Sequence, residues 1–319
     1  MKNISISKWS VVIVMMAWML SSCTSLTSES TPTITPKPTN APEPTLPPEP
    51  TAVPYFDQPG QYLETLQSGG ETRWFAIFIP ESYQHGTLTP LVFNFHGAGS
   101  TFQQQALISG MNELAEAEGF VVVYPQALPD NANVWFLADG TNRSLDVEFT
   151  QAIIDELNQK ITIDPKRIYA TGFSNGGGLV NSICCAMSNT FAAIAPVAGA
   201  YVYWAPCETT SSVSVIAIHG DDDTAVAYSG GGYSTPGWAG GWADRNGCDS
   251  TPSTSQPFDD ITIETWDSCP KGVAVTLYTV AGGGHVWPGS VVYEGALGAT
   301  ENLNATEIIW DFFNNHPKP

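Results

Sequence analysis

Apolar residues in this chain fall into short unbroken runs, separated by segments where they recur every three or four positions. Leu91-Val92-Phe93-Asn94-Phe95 has the near-continuous apolar character of a buried parallel strand. Phe120 to Pro125, Phe191 to Val197, Val213 to Ile218 and Val273 to Val280 read as further strands, and Thr72 to Pro80 as an early one ended by proline. Between them, Gln103 to Glu118 carries Leu107, Met111, Leu114 and Ala115 at helical spacing and stops at Gly119. Asp146 to Ile161, Leu179 to Met187 and Thr306 to Phe313 are predicted helices as well. Strand and helix alternate throughout, which requires crossover connections. The pattern therefore predicts the α/β class, with a mostly parallel central sheet covered by helices on both faces.

The first 54 residues depart from this pattern. Lys2 and Lys8 precede an apolar run, Trp9 to Leu20, too short to span a bilayer as a mature helix, and Leu20-Ser21-Ser22-Cys23 closes it. Residues 1–22 read as a signal peptide whose ending resembles that of bacterial lipoproteins, with Cys23 the lipidated first residue; an ordinary secretory signal is the other reading. Residues 23–54 are rich in Thr, Pro, Ser and Glu and bury too little surface to offset the entropy of ordering, so they read as an extended tether. Proline-rich chain rises about 3.1 Å per residue, giving a reach of roughly 90 Å. Residues 55–319 read as one folded domain, and the expected location is extracytoplasmic, secreted or at the cell surface, with membrane attachment through the lipid alone.

Composition narrows the partners. The chain has 31 acidic against 11 basic side chains, a formal charge of −20, which repels nucleic acid. Six cysteines in an exported protein argue for disulfides. With Cys23 assigned to lipid, Cys184, Cys185, Cys207, Cys248 and Cys269 remain, an odd number. They lack paired C-x₂-C spacing and no histidine cluster stands near them, so no metal site is expected.

The candidate chemistry begins at Gly172-Phe173-Ser174-Asn175-Gly176, where a β-prone run turns into a helix. This is the G-x-S-x-G pattern in strand–turn–helix context, with glycines where a Cβ would collide and a serine hydroxyl left projecting above the sheet. Ser174 is the candidate nucleophile. The strand at Leu91 to Phe95 feeds His96-Gly97-Ala98-Gly99-Ser100, a turn that leaves backbone N–H groups pointing outward. The N–H of Ala98 and that of Asn175 are the expected oxyanion donors. Another strand opens into His219-Gly220-Asp221-Asp222-Asp223, one of whose carboxylates is placed to orient a histidine; a solvated turn and a loose calcium site are the competing readings. The last long strand runs into Gly282-Gly283-Gly284-His285-Val286-Trp287-Pro288-Gly289. The order serine, acid, histidine of an α/β-hydrolase selects His285 from the five histidines.

Taken as an ordered set, these four motifs resemble the polyhydroxybutyrate depolymerase and feruloyl esterase group of α/β-hydrolases, over about Thr72 to Phe313. The resemblance implies Asp223 as the acid, three residues after the glycine of the His-Gly pair, and disulfides Cys185–Cys207 and Cys248–Cys269 with Cys184 unpaired. Ala98 and Gly178 depart from residues common in the family, which puts the shape of the pocket floor in question. The implied activity is serine carboxylic-ester hydrolysis without metal or organic cofactor. The expected substrate is a feruloyl- or acetyl-decorated plant-wall polysaccharide; a polyhydroxyalkanoate polyester and a non-catalytic surface binding role are the alternatives. Trp287 is a candidate wall for a flat acyl group, and Trp135, with Trp238 and Trp242 in the Gly-rich stretch from Tyr233, a candidate substrate rim.

Overall fold

The structure is a computed structural model that describes residues 56, 58–137, 145–201, 207–230 and 233–319, all within a compact unit, Ala52–Pro319. The signal peptide, Cys23 and the whole of the tether lie outside the described residues.

Ten strands form one mixed sheet. In chain order they are β1 (Gly60–Ser68), β2 (Glu71–Ile79), β3 (Thr89–Phe95), β4 (Val121–Pro125), β5 (Ile163–Phe173), β6 (Ala193–Val197) and β7 (Ser214–Gly220). After a two-residue pair, β8 (Ser229–Gly230) with β9 (Tyr233–Ser234), come β10 (Ser253–Phe258), β11 (Ile261–Trp266) and β12 (Val275–Val280). Across the sheet the order is β1-β2-β4-β3-β5-β6-β7-β12-β11-β10. The six central strands from β4 to β12 pair in parallel, and antiparallel strands extend the sheet on both sides. The parallel strands are almost wholly buried, as their unbroken apolar runs require.

The helices are α1 (Phe102–Ser109), α2 (Met111–Glu118), α3 (Leu145–Leu157), α4 (Asn175–Ala186), α5 (Thr235–Asn246) and α6 (Ala305–Asn315). One face of the sheet packs Ile153, Leu157, Leu179, Ile183 and Trp242 from α3, α4 and α5. The other packs Met111, Ala115, Ile309 and Phe313 from α2 and α6, with Trp310 stacked on Phe120 at 3.9 Å and Phe313 on Tyr169 at 4.7 Å.

Two elements differ from the sequence expectation. The helix read over Gln103 to Glu118 is broken at Gly110, which adopts φ 58° and ends α1, so α1 turns independently of α2. Its inward side chains are Gln105 and Ser109, which hydrogen-bond Asn94 at 2.7 and 3.0 Å, while Leu107 faces solvent. The Gly-rich stretch containing Trp238 and Trp242, absent from the predicted helices, is helical. Ser234 Oγ accepts from Gly237 N–H at 3.1 Å and proline occupies the first turn, which outweighs the low helix propensity of its glycines.

Candidate active site

Ser174 follows β5 directly and adopts φ 56°, ψ −119°, a conformation that costs a residue with a Cβ roughly 1–3 kcal/mol. Backbone bonds hold it there. Its N–H donates to Val197 O at 2.9 Å, and its carbonyl accepts from Gly178 and Ala200 N–H at 3.0 and 2.9 Å. A Cβ on Gly172 would stand 2.7 Å from the Gly176 backbone, and one on Gly176 would overlap the Phe95 and His96 carbonyl oxygens. Strand and helix therefore approach through bare backbone, and the serine is raised at the turn between them.

The loops after β7 and β12 cross on glycine as well. A Cβ on Gly220 or on Gly283 would lie 2.8 Å from the other's Cα. Asp222 N–H donates to Gly283 O at 3.0 Å and Gly282 N–H to Asp221 Oδ1 at 2.6 Å, binding the two loops together. This crossing brings His285 Nδ1 to 2.7 Å from Asp223 Oδ2. Of the three consecutive aspartates only Asp223 is buried; its neighbours are exposed. Asp223 Oδ1 accepts from the N–H of Ala225 and Val226 at 2.9 and 2.8 Å, a turn that leaves Oδ2 for histidine.

A second histidine reaches the same oxygen. His219 Nε2 lies 3.2 Å from Asp223 Oδ2 and 2.9 Å from Val226 O. Both partners are acceptors, so Nε2 carries the proton, and Nδ1 faces the Thr235 hydroxyl at 3.3 Å. Burial pushes the Asp223 carboxyl up, but the hydrogen bonds from His219, His285 and the Val226 N–H outweigh it and hold the group well below the usual carboxylate range. Sequence reasoning passed over His219 in this role. The available signal was a histidine inside an otherwise apolar buried strand, which needs a polar partner.

The His285 ring rests 4.8 Å from that of Phe173, the residue preceding Ser174. Its Nε2 has no partner among the described residues, and neither has the Ser174 hydroxyl. The structure thus joins acid to histidine and places the histidine beside the serine's turn, without a serine–histidine hydrogen bond. Such bonds are often long or misaligned until substrate binds.

The Gly97–Ala98 turn passes beside the serine: a Cβ on Gly97 would stand 3.4 Å from Ser174 Cβ. Among the described residues, the N–H groups of Ala98 and Asn175 have no acceptor. What lies behind them is tightly bonded. His96 Nε2 accepts from Ala127 N–H at 3.1 Å, and its Nδ1–H donates to Gly97 O at 2.7 Å. Burial lowers the His96 pKa to about 4, with the bond to Gly97 acting the other way, so the ring is neutral and braces the turn. Trp135 Nε1 donates to His96 O at 2.7 Å, and Trp135 N–H donates to Asn175 Oδ1 at 2.7 Å. Phe136 N–H in turn donates to Asp146 Oδ2 at 2.7 Å, and the other Asp146 oxygen pairs with Arg73 in a fully buried ion pair at 2.7 Å.

The expected aromatic rim is corrected by these contacts. Trp135 is buried against Phe95 and His96 and its indole N–H is committed to backbone. Trp287 is fully buried, donating to Thr306 Oγ1 at 2.9 Å on α6. Trp238 and Trp242 are buried too, and both donate to Asn181 Oδ1 at 3.1 Å. In each case an indole N–H that finds a partner inside makes the ring a packing element. Disulfides join Cys185 to Cys207 and Cys248 to Cys269, and Cys184 is a buried free thiol.

A family model described as "Esterase PHB depolymerase" matches residues 74–230, a span that runs from β2 through the serine's turn to the acid. Over this span the chain is similar to the polyhydroxybutyrate depolymerase and feruloyl esterase group. It is 30% identical over 225 residues to "Feruloyl esterase B" of Piromyces equi, covering 66% of this chain and 42% of that protein. It is also 30% identical over 221 residues to "Bifunctional acetylxylan esterase/xylanase XynS20E" of Neocallimastix patriciarum, covering 68% of this chain and 31% of that one. The chain thus spans less than half the length of both relatives. Among solved structures, "Acetyl xylan esterase from Aspergillus awamori" superposes with a TM-score of 0.58 at 17% identity, over 80% of this chain and 99% of that one, which shows a common α/β-hydrolase fold.

Proposed function

We propose that this chain is an extracytoplasmic serine ester hydrolase that works through an acyl-enzyme on ester-decorated plant-wall polysaccharide. One observation carries the reading: His285 is held by a buried Asp223 at 2.7 Å with its Nε2 unpartnered among the described residues, beside a serine on strained backbone. His285 Nε2 takes the Ser174 proton as Oγ attacks the ester carbonyl, while Asp223 fixes the ring's tautomer and stabilises the imidazolium. The Ala98 and Asn175 N–H groups receive the oxyanion, each such donor being worth roughly 2.7–4 kcal/mol. Collapse expels the alcohol, which takes its proton from His285. Water then attacks the acyl-enzyme with His285 as base.

The names of the two relatives, a feruloyl esterase and an acetylxylan esterase/xylanase, support feruloyl or acetyl esters of xylan as substrates. The description of the matching family supports a second reading, depolymerisation of a polyhydroxyalkanoate polyester. Two disulfides fit an oxidising compartment. In this reading residues 1–22 are removed, Cys23 carries lipid and residues 23–54 hold the hydrolase away from the membrane.

The test is an ester panel of methyl ferulate, acetylated xylan, short-chain polyhydroxybutyrate and p-nitrophenyl acetate, run with the native protein and Ser174→Ala. Hydrolysis that disappears in Ser174→Ala supports the mechanism, and the preferred ester separates the two substrate readings. Activity surviving in Ser174→Ala rejects the mechanism; inactivity on every ester favours a binding role instead. Loss of radiolabelled palmitate incorporation in Cys23→Ser tests the anchor.

A further inference from the structure

Helix α1 packs Phe102, Ala106 and Ile108 partly on the core but has an unusual pattern of burial. Its buried side chains are the polar Gln105 and Ser109, both committed to Asn94, whereas Leu107 stands 62% exposed. A helix that turns leucine to water and glutamine to the core gains nothing from that leucine in folding. The short helical turn Val291–Tyr293, facing it, does the same: Val291 is 72% and Val292 46% exposed.

These residues wall two neighbouring cavities that share Leu107 and Ile108. The near one, about 380 Å³, starts at Ala98 and runs between Leu107, Ile108 and Val292. The second, about 500 Å³, passes Leu114 and Val291 and ends among Glu113, Asn304 and Glu307. Each volume lies within the range of small-molecule sites, roughly 300–1,000 Å³. In a chain with a net charge of −20, no charged residue among the described residues lines the near cavity.

We propose that Leu107, Ile108 and Val292 form a subsite for the acyl arm of the ester, leading away from the Ala98 oxyanion donor. The proposal rests on the ester-hydrolase reading and deepens it. The two arms of a polysaccharide ester differ in chemistry. The alcohol arm is a sugar, whose hydroxyls need hydrogen-bond partners when water is removed. Leucine, isoleucine and valine supply none; of the two polar side chains described in the same cavity, the Ser100 hydroxyl donates to Gln104 Oε1 at 3.0 Å, which leaves the Gln104 amide N–H groups as the side-chain donors there. The near cavity therefore matches an uncharged, largely apolar acyl group, a hydroxycinnamoyl ring or an alkanoyl chain, and it is larger than an acetyl group needs. The acidic end of the second cavity disfavours an acyl group ending in a carboxylate.

Two substrate series and three proteins test this. The native enzyme, Leu107→Asn and Val292→Asn are assayed on p-nitrophenyl acetate, butanoate and octanoate, then on acetate esters of alcohols from methyl to octyl. Both replaced side chains are exposed, and unchanged Tm values check that the fold survives. The expected result is a fall of about tenfold or more in the octanoate-to-acetate ratio of kcat/KM for each variant, since one apolar contact changes discrimination roughly 10–200-fold. A ratio within twofold of the native enzyme's overturns the proposal. So does a shift confined to the alcohol series, which assigns the near cavity to the leaving group. Inactivity of the native protein on every ester of both series and of the panel overturns the parent reading, and the acyl subsite with it.

Discussion

The Asn175 side chain and the Trp135 backbone clasp each other: Trp135 N–H donates to Asn175 Oδ1 at 2.7 Å, and Asn175 Nδ2 donates back to Trp135 O at 3.5 Å. The residue whose backbone N–H is one of the two proposed oxyanion donors thereby ties the Ser174 turn to the strut behind the other. The strut is anchored in turn by Asp146 and the buried Arg73. Asn175→Ala keeps the backbone N–H but removes the clasp. It is expected to lower kcat by about ten- to a hundredfold, the scale of a misplacement near 1 Å, with KM changed less than threefold. Affinity for a boronate transition-state analogue should fall in parallel with kcat. A variant with native kcat shows that the clasp only packs the loop.

His219 and His285 share one carboxylate oxygen, so the two histidines are separable by experiment. Asp223→Asn is expected to cost about ten-thousandfold in kcat through loss of the tautomer that presents Nε2 as base. His219→Phe removes one of the hydrogen bonds that lower the Asp223 carboxyl, which leaves the carboxylate a stronger acceptor for the imidazolium formed at His285, so the acid limb of the pH–rate profile moves to higher pH. The accompanying loss in kcat is about tenfold, the scale of one hydrogen bond to a charged group. His219→Gln, which retains a donor, should recover most of both effects. An unshifted acid limb in His219→Phe removes His219 from the account.

Much of this arrangement is legible in residue order, because it depends on backbone. Gly172 and Gly176 flank Ser174 for the same steric reason that makes them readable as a motif, and the buried parallel strands announce themselves as apolar runs. The edge strands do not. Every residue of β10 is exposed, so no apolar pattern marks the hairpin it forms with β11. Tryptophans are equally ambiguous, since the same ring suits a substrate or a core. Trp135 and Trp287 are settled only by the acceptors their N–H groups meet, His96 O and Thr306 Oγ1, which lie 39 and 19 positions away in sequence. Leu107 misleads differently: it fits the helical apolar spacing, but the break at Gly110 rotates α1 and turns it outward.

The crossing of Gly220 with Gly283 is the contact that sets the Asp223–His285 distance. A methyl group on Gly220 would meet Gly283 backbone atoms with no flexible side chain to give way, so the two loops must separate. Gly220→Ala is therefore expected to lower kcat at least a hundredfold, again the scale of an ångström of misplacement, and to reduce Tm. Gly282, at φ 67° with open space around it, is strained by a side chain but not blocked, and Gly282→Asn, which tolerates that backbone, is expected to retain most activity. Steady-state kinetics on p-nitrophenyl acetate distinguish the two; equal effects refute the crossing as the determinant.

His96 makes stability depend on pH in a defined direction. Its pKa falls to about 4 in the fold because the ring is buried, whereas in the unfolded chain it binds a proton below about 6.5. Between those values the unfolded state holds a proton that the native state lacks, so stability rises with pH across the window and is lost as pH drops through it. Asp223 acts lower down. Its depressed carboxyl contributes stability that is complete above about pH 4 and disappears only as pH falls towards its folded value. The two contributions separate if urea unfolding is measured at pH 7, 6, 5 and 4. His96 alone should remove roughly 1 kcal/mol per pH unit below about 6.5. His96→Gln, less stable at pH 7 but without an imidazole to titrate, should show a flatter profile between pH 6.5 and 4.5. Parallel profiles for the two proteins would mean that His96 is protonated in the native state, which is incompatible with Nε2 accepting from the Ala127 N–H.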